Sequence, residues 1–170
     1  MTLRLDLKRK QRLHTGSGSP PSMLKVFFSD GTSANCLYRA MSWCARHRLV
    51  PLAFVLQVLN KWMNQCVIGL HAQFGPGLVL AHPVGIIINS KVRGGSDIVI
   101  ESAVVLGDAK GQSPQLGDDI YIGAGAKIIG GIFVGTGARI GANAVVVTDV
   151  PEGATAVGIP ARVVRQRQRK

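Results

Sequence analysis

Between Ile68 and Pro151 an aliphatic residue returns every six positions, and this period constrains the fold more than any other feature. Counted in sixes from Ile68, the leading positions are Ile68, Phe74, Leu80, Ile86, Val92, Ile98, Val104, Lys110, Leu116, Ile122, Ile128, Val134, Ile140 and Val146. Thirteen of these fourteen are large and apolar, where a composition 46% hydrophobic would fill six or seven by chance. The second position is often glycine (Gly69, Gly75, Gly117, Gly123, Gly135, Gly141), and the fifth is mostly small or apolar (Ala72, Ser90, Ser96, Ser102, Ala126, Ala138, Ala144). A period of six is neither helical nor a simple strand alternation, but three hexads make an 18-residue triangular coil. Each hexad is then one short strand with its aliphatic residue inside the prism. The small residues leave room at the corners, and glycine supplies turn conformations that other residues resist. Coils stacked about 4.8 Å apart let every strand bond to the coils above and below. The 84 residues of the repeat give about 4.7 such coils.

Charge is concentrated at the ends. The chain of 170 residues has a formal net charge of +11. Arg4, Lys8, Arg9, Lys10 and Arg12 open it, and Arg162, Arg165, Arg167, Arg169 and Lys170 close it, so half of its twenty bases lie in two tails. Two readings stand: solvated tails, or attraction to an anionic membrane surface or polyanion. Nucleic-acid binding is poorly supported, because no aromatic residues interleave with the basic runs. Cys36, Cys44 and Cys66 are odd in number and lack CxxC spacing, so buried thiols in a reducing cytosol are expected rather than a disulfide framework. The basic N-terminus has no apolar stretch after it, so no secretory leader is expected. The apolar run Leu49–Leu56 is too short to span a bilayer. The expected location is cytoplasmic.

Four segments follow. Residues 1–32 read as a basic flexible arm with a Gly-Ser-Pro run at 16–21, ending in a turn and helix-capping chemistry at Ser29–Ser33. Residues 33–66 read as two helices. The first puts Leu37, Ala40, Met41 and Cys44 on one face with Arg39 and Arg46 turned away; the second starts at Pro51 and carries Leu52, Val55, Leu56, Leu59 and Met63. Such a pair buries little alone and should pack on the first coil or on a neighbouring subunit. Residues 67–151 are the coils, with Lys110–Gln115 read as an external loop. Residues 152–170 are a turn-rich closing segment and basic tail.

The runs Leu116–Gly131 and Val157-Gly-Ile-Pro-Ala-Arg162 resemble the hexapeptide-repeat acyltransferases, most closely serine O-acetyltransferases and their relatives in polysaccharide gene clusters. Leu80-Ala-His-Pro-Val-Gly-Ile-Ile-Ile-Asn89 resembles the segment that carries the family's catalytic histidine. The resemblance implies an all-β fold with a short helical lead-in: a left-handed parallel β-helix that trimerises, with acetyl-CoA and the acceptor meeting between subunits. It places His82 as the general base on an acceptor hydroxyl, which attacks the thioester directly. The residue type suits that work, since a hydroxyl is a poor nucleophile at neutral pH and imidazole can take its proton.

Stacking by 18 residues sets Glu101 beneath Pro83, where it could orient His82 or bind the acceptor. It also sets His71 on Asn89. Asn89 is a candidate acceptor ligand or a turn cap, His71 a structural or interface residue, and Ser102 a candidate acceptor contact. For acetyl-CoA as co-substrate, small residues at Gly123, Ala124 and Ala142 leave room for a pantetheine arm along the prism wall. Lys127, Arg162 and Arg165 complete the cofactor set; the resemblance implies a place for the arginines near the CoA phosphates, whose geometry a guanidinium suits. No metal-ligand cluster, P-loop or dinucleotide fingerprint is present in the sequence.

Three departures bear on the acceptor. Ala81 stands where serine acetyltransferases usually have Asp, the Gln112-Ser113-Pro114 loop is short and lacks their Arg-His pair, and Ser102 stands where polysaccharide-associated relatives often have a second His. The expected function is acetyl transfer from acetyl-CoA to a saccharide or serine-like hydroxyl. A catalytically silent β-helix scaffold that binds a partner is the alternative.

Overall fold

A computed structural model describes residues 2–15 and 21–166; the run 16–20 and the bases Arg167, Arg169 and Lys170 lie outside the described residues. Four helices lead in: α1 (Thr2–His14), α2 (Met23–Phe27), α3 (Thr32–Arg46) and α4 (Val50–Asn64). Short strands then wind into a parallel β-solenoid with three walls. The first wall stacks β1 (Val67–Ile68), β4 (Ile87–Ile88), β7 (Val105–Gly107), β10 (Lys127–Ile129) and β13 (Val145–Val146). The second stacks β2 (Gln73–Phe74), β5 (Arg93–Gly94), β8 (Gln115–Leu116) and β11 (Phe133–Val134). The third stacks β3 (Val79–Leu80), β6 (Val99–Ile100), β9 (Tyr121–Ile122) and β12 (Arg139–Ile140), and is closed by β14 (Ala154–Gly158) and the antiparallel β15 (Ala161–Gln166).

The coils are not all 18 residues long. Leu80 pairs with Ile100 and Gly94 with Leu116, whereas Ile88 pairs with Leu106 and Ile140 sits 18 residues beyond Ile122. Two extra residues enter after β3, at the turn holding His82, and four more after β7, in the expected external loop. Together they amount to one hexad, so the phase is restored at Leu116 and the slip is hidden. Hexads here bury a second position, two residues before the strand's inward residue. Ile86, Val92, Ile98 and Val104 occupy that second position, each at 0% exposure, while Ile88, Ile100 and Leu106 are the inward strand residues. Each such side chain contributes about 1.5–3 kcal/mol of burial.

The first coil presents an open edge, and the helices close it with polar side chains. Asn35 donates to Leu78 O at 2.7 Å and accepts from Leu80 N at 3.0 Å. Tyr38 Oη donates to Ala72 O and accepts from Phe74 N at 3.1 Å. Arg39 donates to Phe74 O and Gly75 O, and Gln57 to Ile68 O at 2.7 Å. Covering an edge in this way removes a template for stray strand pairing.

Several expectations are corrected here. Thr2–His14 is a helix docked on the solenoid, not an open arm. Asp6 is 2% exposed, forms a two-bond pair with Arg39, and accepts from Gly77 N at 2.8 Å and Leu78 N at 3.0 Å. Arg39 therefore points inward, to a buried carboxylate that offsets its charge. The face of α3 that is buried carries Ala34, Tyr38, Met41 and Cys44, with Ala40 exposed. The N-cap of α3 is Gly31 at φ 79°, with no side-chain cap bond. In α4 Ala53 and Asn60 are buried and Leu56 packs half-buried on the core, while Leu52, Val55, Leu59 and Met63 are exposed. Asn60 faces inward because its amide satisfies Ala34 O. All three cysteines are free thiols, Cys44 and Cys66 buried and Cys36 half-buried.

Candidate active site

The turn between β3 and β4 lies at the corner joining the third wall to the first. Corner segments stack there in register: Ala103 N donates to Val84 O, Gly125 N to Ser102 O at 2.8 Å, and Asn143 N to Ala124 O at 2.8 Å. One column thus holds His82 and Ser102, then Gly123 and Ala124, then Ala142. The first wall continues from it to Lys127, whose Nζ turns back onto Gly125 O at 2.9 Å. Gly123 is required by packing, because a Cβ there would lie 2.7 Å from Ala142 N. Ala142 is exposed and Ala124 half-buried, so the wall of the column is smooth and open. Arg162 and Arg165 are exposed on β15, at the far end of the solenoid, opposite Val157 and Thr155.

His82 has a partner that the sequence reading did not name. Its Nδ1 lies 2.7 Å from Asp30 Oδ2, and both side chains are about two thirds exposed, at 66% and 63%. A carboxylate only accepts, so this contact suits Nδ1 as the donor and leaves Nε2 as the ring nitrogen not engaged by Asp30. An exposed pair of this kind adds little stability; what it fixes is ring orientation and tautomer.

Gly31 makes the pairing possible. Its φ of 79° suits glycine, and a Cβ would meet Leu80 O at 1.9 Å, so the start of α3 rests directly on the strand that leads to His82. Lys10 of α1, 4% exposed, holds the same turn by donating to Asp30 O and to Thr32 Oγ1, the latter at 2.9 Å. Burial pulls the Lys10 pKa below the ordinary lysine range, against the raising effect of the Asp30 carboxylate and Cys36.

Glu101 and Asn89 are placed differently from expectation. The 20-residue register sets Glu101 beside Ala81 rather than beneath Pro83, and its carboxylate accepts from Tyr121 Oη at 3.4 Å. Burial first, and that carboxylate second, push Tyr121 above its ordinary pKa. Asn89 lies on the opposite side of the first wall, at the corner that carries the external loop. Its Oδ1 accepts from Lys91 N at 2.9 Å and Ser113 Oγ at 3.2 Å, which makes it a turn and loop anchor. His71 is exposed at that same corner, stacked near Ser90 and Lys91 rather than on Asn89, with Ser90 Oγ accepting from its backbone N at 3.0 Å. Asp30 was missed because no local spacing links residues 52 apart. The one sequence signal was its isolation, as the sole acid between Asp6 and Asp97.

No family model matches the chain. It is 35% identical over 138 residues to the serine acetyltransferase of Synechococcus elongatus, covering 79% of this chain and 57% of that protein. Among solved structures, a serine acetyltransferase in complex with CoA superposes with a TM-score of 0.88 at 31% identity, over 96% of this chain and 68% of the other. The chain belongs to the hexapeptide-repeat acyltransferases, serine O-acetyltransferase-like. The Neisseria gonorrhoeae serine acetyltransferase in complex with serine gives a TM-score of 0.87 at 32% identity, over 95% of this chain and 67% of the other. The chain spans less than two thirds of the length of the curated relatives it matches, at 57% of the first and 62% of the next.

Proposed function

We propose that this chain is an acetyl-CoA-dependent O-acetyltransferase acting on a hydroxyl of serine or a saccharide, with His82 as general base. The observation that carries the reading is the Asp30–His82 pair, 2.7 Å apart at the head of an open column of small residues. In the proposed reaction, His82 Nε2 takes the acceptor's hydroxyl proton as its oxygen attacks the thioester carbonyl. The new C–O bond forms, the C–S bond breaks, and the imidazolium returns its proton to the CoA sulfur. Asp30 stabilises the imidazolium and keeps Nδ1 as the donor. Ser102, one coil along the column, contacts the acceptor; Glu101 lines the third wall beside it. The backbone at Gly123, Ala124 and Ala142 receives the pantetheine arm, with Lys127, Arg162 and Arg165 supplying cations for phosphates. The relatives are named as serine acetyltransferases, and solved neighbours hold CoA and serine, which supports this reading. The proposal includes a homotrimer, with the cleft completed by a neighbouring subunit.

The test is CoA release from acetyl-CoA across serine, sugars and nucleotide-sugars, for wild type, His82→Ala and Asp30→Asn. Loss of a general base lowers kcat by about 10²–10⁴-fold. Asp30→Asn should lower kcat by about tenfold or more with acetyl-CoA affinity unchanged, since the carboxylate acts through the ring. Turnover that survives His82→Ala would remove the histidine from its role. Absence of both acetyl-CoA binding and turnover would leave the scaffold reading.

A further inference from the structure

Helix α4 is turned inside out for a globular protein. Its inward stripe mixes Ala53 and Leu56 with Gln57 and Asn60 against α3 and the first coil, where Gln57 and Asn60 satisfy backbone carbonyls. Its outward stripe is apolar: Leu52, Phe54, Val55, Leu59, Trp62 and Met63 are each 41–78% exposed. Trp43, Leu49 and Val50 extend this surface around the α3–α4 turn, at 43–51% exposure. Single exposed apolar residues need no explanation, but a contiguous helix face of them marks an interaction surface.

Charge identifies the partner. Arg46, Arg48 and Lys61 are exposed on this hairpin, and among the described residues none of the three is in an ion pair. No Asp or Glu occurs between Asp30 and Asp97, so the hairpin carries cations alone. A second copy docked face to face would set these cations against each other. An anionic lipid surface accommodates both features, with tryptophan and phenylalanine at the headgroup boundary and Arg and Lys toward phosphates. Among the described residues no helix is long and apolar enough to cross a membrane, so α4 would lie in the interface.

We propose that the α3–α4 hairpin docks on the surface of an anionic lipid bilayer through the outward face of α4. The base of the hairpin sits on the candidate site, since Gly85 N in the His82 turn donates to Gln65 O at the end of α4. Docking therefore holds the His82 corner close to the bilayer surface.

The test is flotation of the full chain with vesicles of phosphatidylcholine alone and with added phosphatidylglycerol, at low and high salt. Binding is expected only with phosphatidylglycerol, weakening as salt rises. The two tryptophans, Trp43 and Trp62, both lie on the docking surface, so wild-type emission should shift to the blue on binding. Joint substitution Phe54→Ser and Trp62→Ser should reduce partition by about tenfold or more. The triple change Arg46→Gln, Arg48→Gln, Lys61→Gln should reduce it by about a hundredfold. Unchanged melting of the variants checks that the fold is intact. Three results would overturn the proposal: no partition or emission shift, equal binding to neutral vesicles, or loss of binding only when Arg167, Arg169 and Lys170 are neutralised. A drop in lipid-free oligomeric mass in the Ser variant, with vesicle binding unchanged, would instead assign the face to a second copy of the chain.

Discussion

Cys66 stands where the chain leaves α4 and enters the first strand, and its thiol is fully buried. Burial pushes its pKa up to about 12 from an ordinary 9.0. The fold therefore keeps the thiol neutral where the unfolded chain would ionise it. Stability from this group is fully present below pH 9.0 and is lost as pH rises toward about 12. Over that window its loss is at most about 1.4 kcal/mol per pH unit. Urea unfolding across that range should show a falling midpoint, and Cys66→Ala should flatten the slope. Cys36 and Tyr38 are pushed in the same direction, chiefly by burial, so the slope is reduced rather than abolished. An unchanged slope in the variant would remove Cys66 as its source. At this same scale a resemblance singles out His82, the proposed base, but no motif or spacing in the sequence points to its neighbour Asp30. Histidine chemistry is legible in a motif, whereas the Asp30 carboxylate reaches the ring through a helix start that rests on another strand.

The element that differs most from expectation is α1. Its inward stripe includes Asp6 and Lys10, both charged, so a basic sequence that buries two ionic groups reads as a solvated arm. Those two residues are satisfied only by the rest of the fold. Asp6→Ala leaves the Arg39 guanidinium without its carboxylate and Gly77 N and Leu78 N without an acceptor. The expected cost is about 3–5 kcal/mol, measured by chemical unfolding. Because α1 also carries Lys10 onto the Asp30 turn, turnover should fall with undocking of the helix even where the solenoid stays folded. Near-wild-type stability in Asp6→Ala would mean that α1 is not docked in solution. The other helices were legible as helices, and Pro51 falls in the first turn of α4. The inward face of α3 was legible in part, through Met41 and Cys44, but that of α4 was not, because the capping of the coil edge by Gln57 and Asn60 outweighs the burial of leucine and valine.

At the scale of the whole molecule, α3 and α4 cover the edge of the solenoid's first coil, and β14 and β15 extend the third wall at its last. Its flanks are less protected, with Ile87 and Phe133 each half exposed on outward wall positions. The proposed trimer predicts a mass three times that of the chain in sedimentation equilibrium, and turnover that declines on dilution into monomer. A monomer with full activity would exclude a cleft completed between subunits.

The hexad period alone determined that the chain winds into a stacked triangular coil, because an inward aliphatic residue every six positions can be buried in no simpler way. The resemblance of Leu80–Asn89 to a family segment, rather than the period, singled out the turn that carries His82. Tertiary structure alone decided the lengths of individual coils, since two insertions that total one period leave no trace in the phase. It decided as well that Asp30, Gly31 and Lys10 converge on His82, and that the apolar face of α4 looks outward. Those contacts join residues distant along the chain, and their energies exist only once the backbone carbonyls of the first coil have been placed.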